Sequence, residues 1–132
     1  MNISKNKLIY SLNPNFIEVD YNIDDLIQKV DKLNHKYEKL QNLYYAVYIE
    51  SFTELEFLGL NASNYLKLYN NFKEVCRLLN RIKNLIQNYG LIKRHATPML
   101  GVSEIKLLLA YPDIKNFLDK FDLYPIVDSN YY

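Results

Sequence analysis

Two long stretches of the chain repeat apolar residues at alternating intervals of three and four. The first runs Ile23, Leu26, Val30, Leu33, Tyr37, Leu40, Tyr44, Val47, and the second Tyr65, Leu68, Phe72, Val75, Leu79, Ile82, Ile86, Tyr89. That interval is the seam of a helix packed lengthwise on another helix. Asn22, with Asp24 and Asp25 in the first turn, predicts where the first helix starts, because an Asn side chain caps free N–H groups and carboxylates complement the dipole. "GLNAS" at 59–63 predicts the joint, with Gly59 as C-cap of the first helix and Asn61 as N-cap of the second, and Gly90 closes the second helix. Short joints between matched seams make an antiparallel hairpin. Ile27, Leu43, Tyr45, Ile49, Leu66, Tyr69, Leu78 and Leu85 widen both stripes beyond a two-helix seam, so further helices, other subunits, or both are expected to cover them.

The ends of the chain read differently. "KLIYSL" and "FIEVDY", separated by Asn13-Pro14-Asn15, predict a β-hairpin or an extended arm over residues 1–21. Beyond the basic turn Lys93-Arg94-His95 that follows Gly90, Ser103 to Ala110 predicts a short helix that Pro112 stops, or Pro112 starts the next one over "DIKNFLDKF". Leu123, Tyr124 and Pro125 end that helix, and residues 126–132 read as a loose tail. The fold class is therefore all-α: a coiled-coil-like hairpin over 22–89 and short helices within 103–121, in a helical domain of residues 22–125 preceded by an N-terminal arm.

Composition changes this picture little. In 132 residues, 3 glycines and 4 prolines are too few for an all-β fold with many turns. The single cysteine, Cys76, has no intrachain partner for a disulfide and reads as a small buried hydrophobe. No secretory signal or membrane-spanning run is present, which predicts a soluble protein of the host-cell cytoplasm. Net charge is +1, yet residues 1–66 sum to −3 and residues 67–132 to +4, which points to an anionic partner or a complementary neighbour.

No phosphate loop, nucleophile elbow or metal-spaced Cys/His cluster occurs, so no catalytic residues, metal or cofactor are expected. His35 falls on the outer face of the first helix, and Glu50, Glu54 and Glu56 read as a solvated face. Lys73, Arg77 and Arg81 stand four apart on the second helix, and Lys83, Lys93, Arg94 and His95 gather towards and beyond its end. Such a stripe can track a phosphate backbone; the alternative is an ordinary solvated helix face with cations at its C-terminus. Thirteen tyrosines suit protein contacts, with Tyr44, Tyr45, Tyr48, Tyr65, Tyr69 and Tyr111 as interface candidates, although core packing explains many tyrosines equally.

From about residue 55 the order "YLKLYNNFKEVCRLLNRIKNLIQNYGLI", "KRHATP", "DIKNFLDKFDLYP" resembles the small terminase subunits of tailed phages. The matching points are Tyr89-Gly90-Leu91-Ile92, Pro98 and Leu123-Tyr124-Pro125; the glycine of the family's closing element is Asp122 here, and its basic N-terminal segment has no counterpart. The resemblance implies a non-enzymatic homo-oligomer that binds double-stranded DNA at the packaging site and passes it to the large terminase subunit. The competing expectation is a small helical protein of a phage or mobile element that docks on a host protein and modulates it.

Overall fold

Asn22 opens the first helix as predicted: its Oδ1 accepts the Asp25 N–H at 3.1 Å, and its carbonyl accepts the Leu26 N–H at 3.0 Å. In the computed structural model this helix, α1, spans Ile23–Thr53, and α2 spans Gly59–Tyr89. The structure describes residues 7–10, 17–20, 22–53, 59–89 and 99–130, with backbone alone for 7–10, 17–20, 52–53, 59–62 and 89. The predicted joint at 59–63 is displaced. Gly59 begins α2 instead of ending α1, and the connection falls on 54–58, outside the described residues. Glycine is inexpensive in a first turn whose N–H groups have no intrahelical partner, and Leu and Ala favour the helix that follows.

α1 and α2 pack along their seams. Leu26, Val30, Tyr37, Phe72, Val75, Leu79, Ile82 and Ile86 are buried there. Two polar pairs across the seam fix its register: Asn34 Nδ2 donates to Asn80 Oδ1 at 2.8 Å, and Lys83 Nζ lies 2.9 Å from Asp31 Oδ1.

A second layer covers half of this hairpin. It consists of α3 (Val102–Leu109), α4 (Pro112–Lys120, with the proline in its first turn) and a four-residue α5 (Tyr124–Val127). Ile105, Leu108, Ile114, Leu118, Leu123, Ile126 and Val127 bury their side chains with the hairpin core. Leu78 and Leu85, off the seam, are buried as well, which explains their apolar character. Asp122 turns the chain after α4 with φ 49°, a left-handed conformation that Asp tolerates better than most residues.

Two predictions at this end need correction. Leu123-Tyr124-Pro125 does not end α4, which stops at Lys120, but caps and begins α5. Residues 126–130 are not loose: Leu100 N–H donates to the Val127 carbonyl at 2.7 Å, and Ser129 N–H to the Leu100 carbonyl at 3.0 Å. Ile126 and Val127 supply the apolar surface that makes this docking favourable. At the other terminus, β1 (Lys7–Tyr10) and β2 (Ile17–Asp20) form an antiparallel hairpin, with Lys7 opposite Asp20, and β1 lies against α2.

Candidate nucleic-acid interface

The predicted stripe on α2 exists as a spacing, but its charges are largely matched inside the molecule. Arg77 donates to both Glu74 oxygens, at 2.8 and 2.5 Å, and to Glu104 Oε2 at 2.7 Å. Arg81 donates to Glu104 Oε2 at 3.1 Å and to the Met99 carbonyl at 3.1 Å. Glu104 Oε1 accepts the Gly101 N–H at the start of α3. One carboxylate thus ties the α3 N-terminus to two guanidiniums of α2. Lys83 is held by Asp31, and Lys73 rests over the Tyr69 ring at 5.9 Å. Lys93, Arg94 and His95 lie outside the described residues.

The interface tyrosines separate into two groups. Tyr111 packs edge-on against Tyr37 at 5.3 Å and also meets Phe72, so it belongs to the joint between the C-terminal layer and the hairpin. Tyr44 sits half-buried between Tyr65 and Phe72. Tyr45, Tyr48 and Tyr69 lie beyond that layer, and Tyr45 is 49% exposed.

A second row of cations runs along α1, where the sequence reading did not place it. Lys29, Lys32, Lys36 and Lys39 recur at intervals of three, four and three, which sets them along one face of the helix. Two adjacent grooves follow that face and share Lys32. The first, of about 410 Å³, has Leu40 and Leu43 between Lys32, His35, Lys36 and Lys39. The second, of about 280 Å³, runs between α1 and α4, with Leu33, Phe117 and Phe121 flanked by Lys29, Lys32 and Lys120. Lys29 is matched by Asp25 at 2.9 Å and Lys36 by Asp113 at 2.6 Å. Among the described residues, Lys32, Lys39 and Lys120 form no ion pair, and Lys120 lies over the Phe121 ring at 5.4 Å. His35 is exposed as expected, now as part of a basic rim. The 3-4-3 lysine spacing was readable; the net acidity of the first half concealed it.

Asp113 anchors this face. Its Oδ1 accepts the Tyr37 hydroxyl at 2.6 Å, and its Oδ2 accepts Lys36 Nζ, so α4 is clamped to α1. Burial pushes the Asp113 carboxyl up, but the hydrogen bonds from Lys36 and Tyr37 outweigh it and hold it below its usual 3.8. The Gly101 N–H and then Arg77 hold Glu104 below its usual 4.5. Burial, then the Asp113 hydrogen bond, raises the Tyr37 hydroxyl, while burial pushes the Cys76 thiol up to about 11, as expected of an inert thiol.

Both carboxylates titrate lower folded than unfolded, so the unfolded chain takes up protons first as the pH falls. Their stabilisation is complete above the ordinary carboxylate range and is lost as pH drops through the folded values. The expected result is a melting temperature that is steady from neutral pH to about 5 and falls below about 4. Thermal melts of wild type and of the Glu104→Gln, Asp113→Asn double variant check it; the variant's acid-limb dependence should be visibly shallower.

Among the described residues no group of three side chains is placed to hold a metal ion, and no helix is long and apolar enough to cross a membrane. The chain is 39% identical over 132 residues to the uncharacterized protein 123L of Invertebrate iridescent virus 3, an alignment covering 89% of this chain and 94% of that protein. No protein-family model matches the chain, and no solved structure matches it.

Proposed function

The chain belongs to the family of protein 123L of Invertebrate iridescent virus 3, and we propose that it is a non-enzymatic viral subunit that binds double-stranded DNA. The observation that carries this reading is the face of α1. Lys29, Lys32, Lys36 and Lys39 repeat along some 15 Å of helix, at about 1.5 Å rise per residue, with Lys120 beside them. Lysines on a rigid helix neutralise successive phosphates without reading base identity, so contact here supplies affinity and orientation rather than sequence choice. The contact surface is thus moved from α2, where Glu74, Glu104 and Asp31 already hold Arg77, Arg81 and Lys83. Within this reading the task is the one the phage resemblance implies: to bind viral DNA for packaging and pass it to the large terminase subunit.

Fluorescence anisotropy with a labelled duplex tests the proposal. Binding should weaken steeply between about 50 and 200 mM salt, with a slope of about −2.7 to −4.5 in log K against log salt, as three to five neutralised phosphates require. No binding at the lowest salt would remove the proposal.

A further inference from the structure

The C-terminal layer meets the hairpin at Lys36 and Tyr37 of α1 and at Phe72 of α2 and beyond. Among the described residues, the hydrogen bonds and ring contacts of the C-terminal layer come no nearer the joint than Phe72 of α2. Towards the joint, Tyr45 and Ile49 are 49% and 43% exposed, Leu66 and Tyr69 are half-buried, and the Tyr45 and Tyr69 rings meet at 5.1 Å. This patch continues into charge of opposite sign on the two helices. Asp31, Glu38 and Tyr45 recur every seven residues on α1, as Leu66, Lys73 and Asn80 do on α2. Both rows lie on the flank where Asn34 meets Asn80 and Asp31 meets Lys83, away from the α4 clamp. Glu38 and Lys73 are exposed and, among the described residues, neither forms an ion pair.

We propose that this face binds a second copy of the chain about a two-fold axis parallel to the hairpin. That operation lays α1 of one protomer on α2 of its partner and closes a four-helix bundle at the uncovered end. The apolar patches meet, and Glu38 of each protomer comes within about one helical turn of the level of the partner's Lys73, inside the reach of its long side chain. A two-fold that set α1 on α1 would instead bring the acidic edge onto the acidic edge. The surface is self-complementary, as a closed two-fold contact requires, and burial of Tyr45 and Ile49 supplies its apolar centre. Leu43 is 54% exposed but stands in the lysine-rimmed groove on the opposite flank, outside this contact.

Light scattering and sedimentation equilibrium at micromolar concentrations test the proposal on the full chain. Wild type should have twice the 15.7 kDa chain mass, and the Tyr45→Glu, Ile49→Glu double variant should be monomeric with its helical circular dichroism retained. Glu38→Lys and Lys73→Glu should each weaken the dimer about threefold to tenfold, and the two together should restore it. Leu43→Glu should leave the mass unchanged. A monomeric wild type, a charge exchange that fails to restore association, or a larger assembly indifferent to Tyr45→Glu would each overturn it. A monomer that binds duplex overturns this inference alone, whereas a dimer that does not bind overturns only the DNA reading.

Discussion

Replacing Lys32, Lys39 and Lys120 together by alanine should lower duplex affinity on the order of a hundredfold at about 0.1 M salt. Each lysine that neutralises a phosphate releases about 0.9 of a counterion, so the salt slope should become shallower by about 2.7. These three cations are the informative ones because none forms an ion pair among the described residues, whereas Lys36 also holds Asp113 and Lys29 also holds Asp25. Their removal leaves no buried carboxylate unmatched, and stability should change by less than about 0.5 kcal/mol each. Lys67→Ala, Lys73→Ala and Lys106→Ala together, away from the α1 face, remove the same three charges from exposed positions and should change affinity far less. Equal losses in both variants would reduce the α1 face to general electrostatics; a loss only in the comparison variant would return the contact to α2.

Leu78→Ala should cost about 3 kcal/mol, a drop of about 10–15 °C in Tm, close to the cost of Leu79→Ala. The comparison matters because the two leucines occupy different places in the pattern. Leu79 lies on the seam and would be partly buried in a bare two-helix hairpin. Leu78 lies off it and is fully buried in the core cluster that the C-terminal helices share with the hairpin. Leu43→Ala, at a 54% exposed position, should cost less than about 0.5 kcal/mol. Chemical denaturation of the three variants checks this, and a Leu78→Ala cost as small as that of Leu43→Ala would rule out the second layer.

Periodicity made the hairpin legible because two helices packed lengthwise demand the same interval along their whole contact. Leu26, Val30, Val75 and Leu79 therefore announce their burial from sequence alone. Half-buried Leu40, Tyr44 and Val47 carry the same pattern but less burial, since nothing in the spacing reports where the second layer stops. The joint was misplaced because glycine's preference for helix ends does not say which end. The lysine face of α1 was readable as a spacing and was overlooked because charge was summed over half the chain. That Arg77 and Arg81 already face Glu104 was not readable: the partner lies 27 and 23 residues away, beyond a segment whose path no local rule supplies.

Glu104 has a consequence for how the molecule responds to anions in general. It acts as a built-in counterion, neutralising guanidiniums that would otherwise recruit ions from solution. A phosphate arriving at Arg77 and Arg81 must compete with a carboxylate that is tethered, and tethering makes the local concentration of that competitor high at any salt. Displacement of Glu104 would also free the Gly101 N–H at the start of α3. Anion capture at this corner is thereby linked to undocking of α3, and reciprocity makes firm docking of α3 a barrier to anion capture.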